Sequence, residues 1–154
     1  SLTVSKQYNH LIMSTVDKPI YLLPKIDKLF SINVPGTTFI DKWKITTTAQ
    51  KNILIHDKTQ NNDDLVKYIS KQNHLYVRKR KKGDKFVPSG MTHHKKIQDF
   101  MVDEKIPQQY RDRIPLLVNE KDEILWVVGW RTSETAKLNH HQEGLKINFQ
   151  LLSI

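Results

Sequence analysis

Five glycines, at positions 36, 83, 90, 129 and 144, are spread through this chain of 154 residues, and no two stand within six positions of each other. Phosphate loops and dinucleotide fingerprints need glycines about two to five apart, so that backbone N–H groups can close on phosphate oxygens. The spacing here excludes both. It equally excludes the Ser-Gly-Gly-x-Asp-Ser loop of pyrophosphate-releasing adenylating enzymes. Neither a Gly-x-Ser-x-Gly elbow nor a His-Glu-x-x-His helix is present. The chain is expected to hold no nucleotide by these devices and to have no catalytic residue of its own.

What remains is a pattern of short strands. Leu2, Val4 and Leu11-Ile12-Met13 suggest an opening strand or pair, and Ile20-Tyr21-Leu22-Leu23 is an apolar run stopped by Pro24. Phe30 to Val34 alternates with period two and ends at the turn signal Pro35-Gly36. Thr38 to Thr48 is rich in β-branched residues around Trp43, Ile53-Leu54-Ile55 is a further short strand, and Asp57 to Asp64 is a polar loop. Leu75-Tyr76-Val77-Arg78 reads as a strand running into a basic loop over 79–90. Lys95 to Lys105 carries Ile97, Phe100 and Met101 at helical spacing. Ile106-Pro107 closes that helix, and a second short one runs from Pro107 through Arg113 to a stop at Pro115. Leu116-Leu117-Val118, a turn at Glu120-Lys121-Asp122, and Ile124 to Trp130 form a hairpin; Leu145 to Leu151 alternates as a closing strand. The expected class is α+β, with mixed or antiparallel sheets and two short helices bunched around residues 95–113. One domain over 1–154 is expected, with a β sub-region over 1–60.

Charge supplies the functional clue. Lys plus Arg number 25 against 16 Asp plus Glu, a net charge of +9. From Arg78 to Lys96 there are eight basic residues and one acid, so this stretch carries +7 of the +9. Such a patch points to a polyanionic partner. Arg78 and Arg80, two apart at a strand end, are expected to face the same way and to suit successive phosphates. Lys95 and Lys96 at a helix start oppose the macrodipole, which suggests that they and the helix N–H groups await an external anion. Gly83-Asp84 reads as a turn, with the carboxylate bonding nearby amides. Asp99 and Asp103 form an i, i+4 acidic pair on the exposed helix face, and Trp43, Trp126 and Trp130 read as core. His93-His94 and His140-His141 invite a metal reading, but adjacent side chains diverge, so no metal is expected; His94 is better placed to bond or stack on RNA. No cysteine is present and no apolar run approaches the ~18 residues of a membrane span, so no membrane partner is expected and a cytoplasmic setting is. The polar opening Ser1 to Gln7 does not read as a signal peptide.

Taken together, residues 75–134 form an ordered series: Val-Arg-x-Arg-x-x-Gly-Asp, Gly, Lys-Lys-x-x-Asp, Lys-Ile-Pro, Arg, Pro and Trp-Val-x-Gly. The series closely resembles the C-terminal domain of bacterial tRNA(Ile)-lysidine synthetases. Arg78, Arg80, Gly83, Asp84, Gly90, Lys95, Lys96, Asp99, Lys105, Arg111 and Arg131 match the motif, while His93 stands where the family often has glycine.

The resemblance implies a fold similar to a module of the phenylalanyl-tRNA synthetase β-subunit. It also implies that the chain is part of a ligase that uses ATP, with Mg, and lysine to convert the wobble cytidine of CAU-anticodon isoleucine tRNA to lysidine. In that family the chemistry belongs to an N-terminal catalytic domain with the glycine-rich loop missing here, and the first residue, Ser1, fits a piece of something longer. The implied partners are that domain and the acceptor stem of the tRNA. The expected contacts are Arg78, Arg80, Lys82, Lys85, His94, Lys95, Lys96, Arg111, Arg113 and Arg131, with Gly83, Asp84 and Gly90 shaping the loop. Two other classes stay open: a basic module binding RNA without selectivity, and a metal enzyme built on the histidine pairs.

Overall fold

Alternation of apolar and polar residues decides which side of each strand is buried, and the computed structural model shows where those sides meet. It describes residues 23–51, 65–139 and 143–152. The proposed strands over 2–13 and at 53–55, the run at 20–23 except Leu23, the loop over 57–64, and His140-His141 lie outside the described residues. Among the described residues eleven strands run in the order β1 (Phe30–Ile32), β2 (Gly36–Ile40), β3 (Trp43–Gln50), β4 (Val66–Ser70), β5 (Leu75–Arg78), β6 (Lys85–Phe86), β7 (Lys95–Lys96), β8 (Leu116–Asn119), β9 (Ile124–Val127), β10 (Arg131–Thr132) and β11 (Gly144–Leu151). One α-helix, α1 (Ile97–Asp103), and a 3-10 helix over Gln108–Arg113 lie between β7 and β8, and a second 3-10 turn, Glu134–Ala136, follows β10.

The strands form a five-stranded sheet β1-β5-β8-β9-β10, a four-stranded sheet β2-β3-β11-β4 and a two-stranded ribbon β6-β7. Every pairing among the described residues is antiparallel. β11 is an inner strand of the second sheet, in register with β3 along its whole length and with β4 over five residues. Its buried positions Leu145, Ile147 and Phe149 alternate, as a half-buried strand requires.

Phe149 joins the two large sheets. Its ring lies edge-on to Trp43 of its own sheet, 5.6 Å between centroids, and edge-on to Trp126 of the other, at 5.4 Å. Both arrangements place the positive ring edge against a negative face. A second pair, Phe86 and Phe100 at 5.2 Å, packs β6 against α1. Gly36 opens β2 at φ 148°, and a Cβ there would stand 2.9 Å from that of Asn33. Thr47 Oγ1 donates to the Asn33 carbonyl at 2.7 Å, which satisfies a buried hydroxyl and fixes the same corner.

Three elements differ from expectation. Lys95 and Lys96 do not begin the helix; they pair as β7 with Lys85 and Phe86, and α1 starts at Ile97. The turn after Pro107 is 3-10, with Pro107 immediately before it. The stretch from Ile124 to Trp130 is not one strand: Gly129 at φ 92° turns the chain, and Arg131–Thr132 folds back onto β9. Trp126 is therefore deep in the core while Trp130 packs at its edge. Among the described residues no helix is long and apolar enough to cross a membrane.

Truncating Phe149 removes its contact with Trp43 within one sheet and its contact with Trp126 across the two. Phe149→Ala is expected to cost about 3–5 kcal/mol, the usual toll for a buried phenylalanine. Urea denaturation followed by tryptophan fluorescence checks it, since Trp43 and Trp126 report the same site.

Candidate nucleic-acid interface

The basic run begins at the last residue of β5, where the strand places Arg78 inward. Its side chain is only 9% exposed. Nε donates to Asp122 Oδ1 at 2.9 Å, Nη1 to Asp84 Oδ2 at 2.8 Å and to the Lys79 carbonyl at 3.0 Å, and Nη2 to Asp84 Oδ1 at 3.0 Å. Asp84 therefore holds the guanidinium by the bidentate fork that favours arginine over lysine. The same carboxylate accepts from the Lys81 amide at 2.8 Å, and the Asp84 carbonyl accepts from the Ile97 amide at 2.9 Å. Basic loop, strand end and helix start thus converge on one residue. Gly83, at φ 87°, makes the turn before it.

Asp122 lies in the β8–β9 turn at φ 62° and bridges Arg78 to Lys81, whose Nζ is 2.5 Å from Oδ2. Partial burial works to raise the Asp122 pKa, but the hydrogen bonds and charges of Lys81 and Arg78 outweigh it and hold the carboxyl below its ordinary value. For Arg78, burial favours loss of charge and the two carboxylates more than reverse it, so the pKa is raised.

Outside this cluster the loop, α1 and the 3-10 turn enclose a cleft of about 510 Å³. Its cations are Arg80, Lys81, Lys82, Lys96 and Arg111, joined by Gln98, Gln108 and Asp112. Arg80 donates through Nε to Asp112 Oδ1 at 3.0 Å, and Arg111 through Nε to the Ile106 carbonyl at 3.0 Å. Neither arginine has a partner for its Nη amines among the described residues. Each guanidinium is fixed by its inner nitrogen and presents its outer fork. Lys82 and Lys96 are exposed, with no partner among the described residues. In the β6-β7 ribbon Lys96 stands directly opposite Lys85, also exposed. Like charges in register destabilise a strand pair, and an external anion between them removes the cost.

The comparisons with known proteins agree with one another. Residues 75–149 match the family described as TilS substrate C-terminal domain. The chain belongs to this family. A tRNA(Ile)-lysidine synthase of Dehalococcoides mccartyi is 33% identical over 98% of this chain, and one from Clostridium acetobutylicum is 34% identical over 83% of it. One from Caldanaerobacter subterraneus is 46% identical over 47%. The chain spans about a third of the first relative's length (32%), 26% of the second's and 15% of the third's. Its fold is that of a crystal structure described as a TILS C-terminal domain, with TM-score 0.67, 22% identity, and coverage of 82% of this chain and 100% of that one. An N-terminal fragment of the phenylalanyl-tRNA synthetase β-subunit from Pyrococcus horikoshii overlaps 71% of this chain and 29% of its own at TM-score 0.43 and 15% identity.

Within this TilS C-terminal domain the expected contact residues divide. Arg80, Lys82, Lys96 and Arg111 come together in the cleft, with Gly83 and Asp84 in its wall. His94 and Lys95 line an adjoining depression of about 520 Å³ that shares Lys96 with the cleft, and Lys95 is paired there with Asp103. Arg78 is the correction: it does not share an outward face with Arg80 but is buried, because the nearby carboxylates of Asp84 and Asp122 satisfy it from within. Arg113 is a strut, its Nη1 donating to the Leu23 carbonyl at 2.6 Å, and it lines no part of the cleft. Arg131 binds the Ser89 carbonyl at 2.7 Å, away from the cleft, and Gly90 donates to Glu134 Oε1 at 2.8 Å on that same side. The first amide of α1, that of Ile97, is taken by the Asp84 carbonyl, and Lys95 and Lys96 stand in the ribbon before it.

Lys81, Gln98, Gln108, Asp112 and Asp122 were not singled out by sequence reasoning. Only the alternation Arg111-Asp112-Arg113 hinted that a carboxylate sits among the cations. Among the described residues no three His, Cys, Asp or Glu gather as a metal set, and His93 and His94 are both exposed.

Removing Arg78 leaves Asp84 buried and uncompensated. Arg78→Ala is expected to cost about 3–5 kcal/mol of stability, measured by denaturant titration. A depressed carboxylate pKa contributes stability that is complete above its unfolded value and disappears as pH falls through the folded one. Wild-type stability should therefore decline below about pH 4 more steeply than that of Asp122→Asn, as thermal melts across that range will show.

Proposed function

We propose that this chain is the tRNA-gripping part of a tRNA(Ile)-lysidine synthase and that the cleft holds backbone phosphates of the acceptor stem. The parent enzyme would be a cytoplasmic ligase that converts the wobble cytidine of CAU-anticodon isoleucine tRNA to lysidine. The observation that carries the reading is the pair Arg80 and Arg111, each tied by Nε with its outer fork free, beside the unpartnered Lys82 and Lys96. Phosphate oxygens accept two parallel N–H bonds from such a fork, and fixing the fork beforehand reduces the entropy lost on binding. An A-form stem offers a regular path of phosphates beside a shallow minor groove, so grip by shape and charge suits it.

ATP, Mg and lysine are assigned in this proposal to the N-terminal catalytic domain. The residues here do not fit a nucleotide: Gly83 and Gly90 occupy separate turns and form no phosphate loop, and no step through ATP is derived from them.

Titrating the chain with a labelled acceptor-stem minihelix of the isoleucine tRNA, at several salt concentrations, tests the proposal. Arg80→Ala/Arg111→Ala should weaken binding about tenfold or more at physiological salt. It should also lower the slope of log K against log salt by on the order of two, about one per lost phosphate contact. An unchanged slope would remove the cleft from the interface. Equal affinity for a methionine-tRNA minihelix would make this a non-selective cationic module.

A further inference from the structure

A carboxylate lies inside the phosphate-binding cleft, and phosphate cannot be its ligand. Asp112 is 62% exposed on its side chain, while Arg80, which it pairs, is 23% exposed. Only Oδ1 is engaged, by Arg80 Nε; Oδ2 has no partner among the described residues. Gln98 and Gln108 line the same cleft, both exposed. Phosphate oxygens are acceptors, so an ionised carboxylate repels them and has no bond to offer. A polyanion without donors, such as linear polyphosphate, would gain nothing from Asp112 and would be weakened by its charge.

We infer that Asp112, flanked by Gln98 and Gln108, reads hydrogen-bond donors on the minor-groove edge of an A-form RNA stem whose phosphates the neighbouring cations hold. This rests on the RNA-binding reading above and adds to it the residue that makes the cleft selective. The minor groove of an RNA stem presents two donors next to its phosphates, the ribose 2′-hydroxyl and the guanine 2-amino group. Either can donate to Oδ2 while Oδ1 keeps Arg80 oriented. The amides of Gln98 and Gln108 both donate and accept, so they suit the acceptor atoms on the same edge. A carboxylate in this position also discriminates against the wrong polyanion, because any ligand lacking the donor meets only repulsion.

The experiment compares wild type with Asp112→Asn against four probes: an RNA stem-loop, the same sequence in DNA, the same RNA with inosine replacing guanine, and linear polyphosphate. Asparagine keeps a neutral acceptor for Arg80 and removes the charge. Wild type should prefer the RNA stem over at least one of the two analogues by about tenfold, the worth of a charge-assisted hydrogen bond. A preference over DNA assigns the 2′-hydroxyl; a preference over the inosine stem assigns the guanine amine. In Asp112→Asn that preference should fall below about twofold, while polyphosphate binding is unchanged or tighter. A variant that keeps the wild-type preference would overturn the inference. So would a wild type that does not separate the three stems. Equal loss of RNA and polyphosphate binding, with an unchanged melting temperature, would make Asp112 only a strut for Arg80. If instead wild-type binding to the RNA stem is indifferent to Arg80→Ala/Arg111→Ala, the phosphate-cleft reading fails first and this inference with it.

Discussion

A single buried guanidinium organises the charged half of the molecule. Moving a charge out of water costs several kcal/mol even after relaxation, and Arg78 recovers that cost with four hydrogen bonds and two carboxylates. The partners come from separate places. Asp84 ends the basic loop, and Asp122 sits in the turn of a hairpin forty-four residues along the chain. Because Asp84 also bonds the Lys81 and Ile97 amides, its position sets the loop, the ribbon and the start of the helix together. One cation is turned inward, and its neighbours in sequence are thereby held outward at fixed places. A loop of consecutive lysines and arginines without such an anchor would be held apart by mutual repulsion and would present no defined surface.

The same economy recurs one layer out. Arg80 and Arg111 are both fastened by Nε, one to a carboxylate and one to a backbone carbonyl, and both leave their outer nitrogens free. Arg113 and Arg131 are fastened through an outer nitrogen to a carbonyl, which uses the fork itself. Identical side chains in one patch thus have different capacities, and the difference lies in which nitrogen is occupied. Charge counting ranks them all alike; hydrogen-bond geometry separates the residues that can grip a phosphate from those that brace the fold.

Local pattern was legible where the decision is local. The strand Leu75–Arg78, the hairpin turn containing Asp122, the closing strand and the β-branched stretch around Trp43 follow from alternation and turn residues alone. Lys95 and Lys96 did not follow, because helical spacing of Ile97, Phe100 and Met101 extends naturally to include them, and only pairing with Lys85 and Phe86 draws them into a strand. The fate of Arg78 was hidden for a stronger reason. Strand periodicity places it on the same side as Arg80, but the strand ends at Arg78, and carboxylates remote in sequence turn it inward. A place in a motif does not tell whether a residue faces ligand or core. Asp112 was invisible to charge counting, which treats an acid among bases as noise.

The cleft is arranged at some cost to the free protein. Lys85 and Lys96 face each other in register on a two-residue ribbon, and Lys82 adds a further unpartnered charge near by. Repulsion at such a place weakens the ribbon that sets the entrance to α1, so the free state carries a penalty that a bound polyanion removes. Binding and local order are therefore linked: a ligand present at a hundred times its dissociation constant adds about 2.7 kcal/mol to folding stability, and relief of the lysine repulsion is part of that gain. The buried Arg78 cluster prevents this penalty from spreading, since it holds the loop and the helix start whether or not the outer cations are satisfied. The opposed lysines lie in the two-residue ribbon, where an anion can act on them, and the ring contacts of Phe149 lie elsewhere, in the two large sheets.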